Sequence, residues 1–73
     1  MKIWYFDKDF IENVISKVCE KGNWKACEEE LKEHTFFSDV TEDHVAIDED
    51  VSIDRFNDEV YFAMKIILEY AEK

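Results

Sequence analysis

The C-terminal stretch from Ile53 to Glu72 constrains the fold most, because its apolar residues surround nearly the whole of a helix. One set recurs at intervals of three and four, the spacing of a single helical face: Ile53, Phe56, Val60, Ala63, Ile67 and Tyr70. A second set lies beside this face, with Phe62 and Ile66 farthest from it: Tyr61, Phe62, Met64, Ile66, Leu68 and Ala71. A helix apolar on most sides is buried on more than one side. We predict a long core helix that is capped by Ser52, Asp54 or Asn57, and a homodimer through its uncovered part.

Two shorter helices are predicted before this one. The first, Asp9–Lys21, has apolar residues at helical spacing, and Asp9 and Glu12 form a capping pair at its start. Gly22 suits the left-handed position that ends a helix. Asn23 is expected to cap the second helix, Trp24 to about His34.

Three short runs rich in β-branched and aromatic residues predict strands: Lys2–Phe6, Thr35–Val40 and His44–Ile47. The last two are joined by the turn residues 41–43. The resulting order, β-α-α-β-β-α, predicts an α+β fold with a small three-stranded sheet packed against helices and a long C-terminal helix. A chain of 73 residues has the length of a single small acidic domain, residues 1–73.

Composition limits the classes of protein that this chain can belong to. Hydrophobic residues make up 47% and aromatic residues 15% of the chain, which argues against a disordered acidic tail. No signal peptide is visible, and no apolar stretch approaches the ~20 residues of a membrane span, so a cytoplasmic protein is predicted. Two cysteines, Cys19 and Cys27, are then expected to be reduced and mostly buried, with a disulfide between neighbouring helices as the alternative.

The strongest functional signal is the charge of the segment from Asp39 to Glu59. Nine carboxylates and one arginine give it a formal charge of −8, out of −10 for the whole chain. This charge argues against binding to nucleic acid or anionic lipid, both of which are polyanions. It indicates a basic partner instead. The predicted partner-binding residues are Asp39, Glu42, Asp43, Asp48, Glu49, Asp50, Asp54, Asp58 and Glu59. The phenylalanines Phe36, Phe37 and Phe56 are predicted to anchor the same interface.

No pattern for catalysis is present. His34 and His44 lie in no recognisable catalytic motif, and no glycine-rich loop could hold a phosphate. We therefore predict that the chain is not an enzyme and carries no cofactor.

One spacing suggests a metal. Five oxygen-bearing residues occupy positions 1, 3, 5, 7 and 12 of an EF-hand calcium loop: Asp48, Asp50, Ser52, Asp54 and Glu59. Position 6, which should be glycine, is Ile53, and position 8, which should be apolar, is Arg55. No metal site is predicted, and a calcium-binding module stays an alternative.

In size and charge the chain resembles acidic inhibitors of phages and mobile elements, including nucleic-acid mimics, and it also resembles small immunity proteins. The leading interpretation is an inhibitor whose carboxylates occupy a basic, nucleic-acid-binding site on a partner protein. The first alternative is an immunity protein or antitoxin that covers a basic toxin. A further interpretation is an acidic surface that only keeps the protein in solution.

Overall fold

The computed structural model describes residues 2–34, 37–48 and 50–73 and confirms the predicted α+β fold and order of elements. The strands are β1 (Lys2–Tyr5), β2 (Phe37–Val40) and β3 (His44–Ile47). Helix α1 runs through Lys8–Phe10, a π-helical turn Ile11–Ile15 and Ser16–Glu20, and it is followed by α2 (Trp24–His34) and α3 (Ile53–Glu72). Thr35 and Phe36, which were predicted to begin the second strand, lie outside the described residues.

The sheet is antiparallel, with β3 in the centre and β1 and β2 at its edges. Trp4 pairs with Val45 and Lys2 pairs with Ile47 across β1 and β3. On the other side of β3, Val40 pairs with Val45, and an irregularity interrupts the register within β2. Because side chains alternate along a strand, these residues point to one face of the sheet, which packs against the helices.

The corner between α1 and α2 follows the prediction at Gly22, whose φ is 73°. The N–H groups of Gly22 and Asn23 donate to the carbonyls of Cys19 and Val18, both at 3.0 Å, which is the Schellman pattern. The Asn23 side chain donates to the carbonyl of Tyr70 at 3.3 Å. This corner is therefore tied to the end of α3.

The N-terminal cap predicted for α1 is not observed. The helix begins at Lys8, and the residue before it, Asp7, has an extended backbone and no side-chain capping hydrogen bond. Asp9 lies inside the first turn, so the predicted Asp9–Glu12 capping pair is wrong. The reason is that Phe6 still donates its N–H to the Asp43 carbonyl beside the sheet, and the chain turns into the helix immediately afterwards.

The buried face of α3 is rotated relative to the prediction. Val60, Ala63 and Ile67 are buried as predicted, but Ile66 is also buried, and Ile53 is 72% exposed. A seven-residue repeat drifts by about 20° per heptad around a straight helix, so a seam extended back to Ile53 leaves the core. Val51, just before the helix, is buried instead.

The core lies between the inner face of the sheet and the three helices. Its largest fully buried side chains come from every layer of the fold: Ile15, Val18, Leu31, Val45, Ile47 and Ile67. Within the described ranges, none of the helices has the length and apolar content needed to cross a membrane.

Candidate functional site

The acidic segment is divided by β3 into two groups. We call Asp39, Glu42 and Asp43 the turn cluster, and Asp48, Asp50, Asp54 and Asp58 the helix-start cluster. Asp39 is half-buried, and the other six side chains are exposed. At ~3.3 Å per residue, the strand separates Asp43 from Asp48 by about 16 Å. The predicted site is therefore two acidic surfaces at opposite ends of one strand, and Glu49 lies outside the described residues.

Glu59 is placed differently from the other predicted site residues. Its side chain is 8% exposed, and its Oε1 atom accepts a hydrogen bond from Arg55 Nε at 3.0 Å. Its Oε2 atom is buried and has no hydrogen-bond partner among the described residues. Glu59 belongs to the packing of α3, and the prediction that it lies on the acidic surface is wrong. Its burial follows from its position beside Val60 and Ala63, which charge counting does not reveal.

The pairing of Arg55 with Glu59 leaves the rest of the segment strongly negative. Arg55 is the only fixed cation between residues 39 and 59, and it offsets the charge of Glu59. The eight remaining carboxylates therefore carry the full charge of −8.

The helix-start cluster borders a pocket of about 500 Å³ at the beginning of α3. Its lining residues are Asp48, Asp50, Val51, Ser52 and Arg55. The Val51 N–H donates to the Asp48 carbonyl at 3.2 Å, and the Ser52 hydroxyl accepts from the Arg55 N–H at 3.2 Å. These two bonds fix the loop and the first helical turn. They hold the aspartates around the pocket without using their carboxylates.

Asp54 and Asp58 continue this surface along the first two turns of α3. They are separated by four residues, which places them on one side of the helix. Like charges at this spacing weaken a helix slightly. The helix dipole offsets this cost for Asp54, which lies in the first turn.

The turn cluster is held by a network around Thr41. Its hydroxyl oxygen accepts the N–H groups of Asp43 at 3.1 Å and His44 at 3.2 Å, and it lies 3.2 Å from His44 Nδ1. On the other side of the ring, His44 Nε2 lies 3.4 Å from Asp39 Oδ2. Hydroxyl, imidazole and carboxylate occur together here, but the oxygen already accepts two backbone N–H groups. The network stabilises the turn and orients Asp39.

Glu42 in the turn cluster reaches the end of α1. Burial raises the pKa of the Cys19 thiol. The charge of Glu42 and a hydrogen bond between Glu42 and Cys19 raise this pKa further. Burial also raises the pKa of Cys27 to about 12, with a smaller contribution from Glu30. Both cysteines are free thiols. Their environments therefore disfavour the thiolate and do not activate it.

Two of the three predicted aromatic anchors pack inwards, and the third, Phe36, lies outside the described residues. Phe37 is buried in the core, and Phe56 is half-buried against it. Tyr61, three positions after Asp58, is an exposed aromatic residue that the sequence did not single out. Periodicity counted Tyr61 among the apolar residues beside the seam, so its exposure could not be recognised.

The calcium-loop spacing does not assemble into a metal site in the described part of the chain. Within residues 2–34, 37–48 and 50–73, no group of three or more histidine, cysteine, aspartate or glutamate side chains is placed to hold a metal ion. Ser52 serves as the helix cap, and Glu59 is bonded to Arg55.

Comparisons with models of protein families, with curated proteins and with solved structures found no match to this chain.

Proposed function

We propose that the chain is an acidic binding protein whose carboxylate-rich surface occupies the basic, nucleic-acid-binding site of a partner protein. The observation that carries the proposal is the helix-start cluster. It presents four exposed carboxylates from one loop and the first two helical turns, and the nearby Arg55 is bonded to Glu59. The turn cluster supplies a second acidic surface at the other end of β3.

The proposed mechanism is competition for a phosphate site. Such sites are rich in lysine and arginine, and a carboxylate accepts charge-assisted hydrogen bonds from both, as a phosphate does. The Ser52 cap and the turn at Asp48 fix the backbone that carries these carboxylates before binding. A preorganised surface loses less conformational entropy when it binds.

The electrostatic cost of the surface supports a role in binding. Net charge far from zero destabilises a compact chain through self-repulsion, and this chain carries −10 in 73 residues. Outside residues 39–59 the charges nearly balance, at −2. A concentrated charge of this kind attracts a basic partner over long range.

A capture experiment with two matched variants tests the proposal. In the first variant, four aspartates of the helix-start cluster are neutralised: Asp48→Asn, Asp50→Asn, Asp54→Asn and Asp58→Asn. In the control, four exposed glutamates elsewhere are neutralised: Glu20→Gln, Glu29→Gln, Glu69→Gln and Glu72→Gln. Both variants keep a formal charge of −6, so they differ only in where the charge was removed.

Each immobilised chain is incubated with lysate of the source cells, and duplex DNA or RNA is then added as a competitor. The proposal predicts that wild type and control retain a nucleic-acid-binding protein, that the competitor releases it, and that the helix-start variant does not retain it. Equal retention by both variants would contradict the proposal. A retained toxin that nucleic acid does not release would favour the immunity-protein alternative.

A further inference from the structure

Strand β1 lies at an edge of the sheet, and the side chains on its outer face are exposed. Ile3 is 43% exposed and Tyr5 is 66% exposed. The Phe6 N–H donates to the Asp43 carbonyl at 3.0 Å, so the backbone N–H and C=O groups of Phe6 point towards β3. Alternate residues of an antiparallel strand face the same neighbour. Lys2 and Trp4 therefore also face β3, while Ile3 and Tyr5 direct their N–H and C=O groups to the free edge.

Among the described residues, the features that usually block strand addition are not found at this edge. Such features are an edge lysine, a proline, a bulge or a covering element. The chain contains no proline, and the register between β1 and β3 has no irregularity. The Lys2 side chain does not block the edge, because its Nζ atom donates to the Val51 carbonyl at 3.3 Å. The opposite edge differs, because β2 has an irregular register and carries Asp39.

We propose that β1 pairs with β1 of a second copy of this chain, antiparallel about a twofold axis at Trp4. In this register Ile3 lies opposite Tyr5 of the second copy, and each pair exchanges two backbone hydrogen bonds. All four edge groups of Ile3 and Tyr5 are then bonded. The outer face gains two pairs of aliphatic with aromatic side chains, a favourable cross-strand combination. The two three-stranded sheets become one six-stranded sheet.

The inner side of the edge also fits this occupant. Trp4 pairs with Trp4 of the second copy at a position without backbone hydrogen bonds between them, where side chains are closest. Beside Trp4 lies a pocket of about 270 Å³, lined by Trp4, Asn57, Val60, Tyr61 and Met64. Each indole ring thus stands at the pocket of the other copy, where half-buried Trp4 and exposed Tyr61 lose contact with water.

The charge distribution is compatible with a second copy at this edge. No carboxylate lies between residues 2 and 6, and the turn cluster is attached to β2 and β3. In the paired sheet, β3 of one copy is three strand spacings, or about 14 Å, from β3 of the other. That exceeds the Debye length of ~8 Å at physiological ionic strength. Repulsion between the turn clusters is therefore screened. Asp58 of the helix-start cluster adjoins Asn57 in the pocket lining and adds repulsion, so added salt strengthens the pairing.

Sedimentation equilibrium at about 0.5 M NaCl, where the Debye length is ~4 Å, tests the pairing. Wild type is expected to double its mass of 8.8 kDa as concentration rises. Ile3→Pro removes an N–H at the free edge and leaves the bonds to β3, so it is expected to stay monomeric. Ile3→Lys is a second edge variant that does not require proline in the strand. Leu68→Lys makes the same change of charge on the exposed side of α3 and is expected to dimerise like wild type.

Hydrogen exchange of single amides identifies the surface involved. The amides of residue 3 and of Tyr5 are expected to become protected as wild type dimerises and to stay unprotected in Ile3→Lys. A wild-type monomer at every concentration would overturn the inference. So would a dimer that survives Ile3→Lys, or one that Leu68→Lys alone abolishes, because the contact would then lie on α3.

Discussion

Arg55 donates a hydrogen bond from Nε to Oε1 of Glu59 at 3.0 Å, joining an arginine that is 55% exposed to a glutamate that is 8% exposed. Lys32 and Glu28 form a pair with the same i, i+4 spacing at 2.9 Å, but their side chains are 45% and 31% exposed, so neither is buried as Glu59 is. The two pairs look alike in the sequence. They differ in burial, which decides how much each contributes to stability.

Replacing Arg55 by alanine is expected to lower the free energy of unfolding by about 2 kcal/mol, because a buried carboxylate loses its donor. Lys32→Ala, the matched change at the pair without a buried carboxylate, is expected to lower the free energy of unfolding much less. Urea unfolding of both variants measures the two costs. Equal costs would show that the burial of Glu59 has no energetic consequence.

The Ser52 hydroxyl accepts the Arg55 N–H and caps α3. Ser52→Ala is expected to cost about 1 kcal/mol, whereas Ser52→Asp retains a capping oxygen and should be nearly neutral. Thermal unfolding followed by circular dichroism gives both values. A loss of the same size in Ser52→Asp would indicate that the hydroxyl acts in some way other than as a cap.

Tyr70 makes the stability of the fold sensitive to high pH. Its hydroxyl donates to Glu30 Oε1 at 2.7 Å, and this hydrogen bond, together with burial and the charge of Glu30, raises the pKa of Tyr70 from 10.0 to about 12. The folded state therefore holds the proton more tightly than the unfolded state does. This contribution is complete below pH 10 and is lost as pH rises from 10 to about 12.

Urea unfolding at a series of pH values in that range checks the effect of Tyr70. Wild type is expected to lose more stability than Tyr70→Phe as pH rises from 10 to 12. Tyr61→Phe removes a hydroxyl from an exposed tyrosine and is the control. If Tyr70→Phe and wild type lose stability in parallel, the hydrogen bond to Glu30 does not raise the pKa of Tyr70 in the folded state.

The contact between Glu42 and Cys19 predicts a change in thiol reactivity. Glu42 raises the pKa of Cys19, so Glu42→Gln is expected to lower that pKa and to speed alkylation of Cys19 at constant pH. Asp43→Asn, a neutralisation at the next residue, is the control. Mass spectrometry after brief iodoacetamide treatment measures both rates. Cys27, which is fully buried, should react only after unfolding.

Sequence patterns predicted the bounds of elements that have strong local signals. They placed the buried face of α3 less accurately. The bounds of α2 and β3 agree with prediction, because the corner at Gly22 before α2 and the turn at residues 41–43 before β3 are local features. The exposure of Ile53 was missed, because a seam drawn from seven-residue spacing ignores the drift of about 20° per heptad around a straight helix.

The sequence predicted a set of carboxylates for the candidate site, but it did not predict how they are arranged in space. The sequence shows where the carboxylates lie along the chain, but the insertion of β3 between them separates the turn cluster from the helix-start cluster. The burial of Glu59 and of Phe37 depends on contacts between distant elements. Those contacts leave no pattern in the local sequence.

A salt titration of binding to the captured partner tests the central proposal most directly. Calorimetry is carried out from low to high NaCl with wild type, with the helix-start variant and with the matched glutamate variant. Affinity of wild type is expected to fall steeply with salt, because screening shortens the reach of charge to ~8 Å at physiological ionic strength. The helix-start variant should bind more weakly with a shallower slope, and the control should retain the wild-type slope. Wild-type affinity that does not change with salt would contradict the proposal that the carboxylates form the interface.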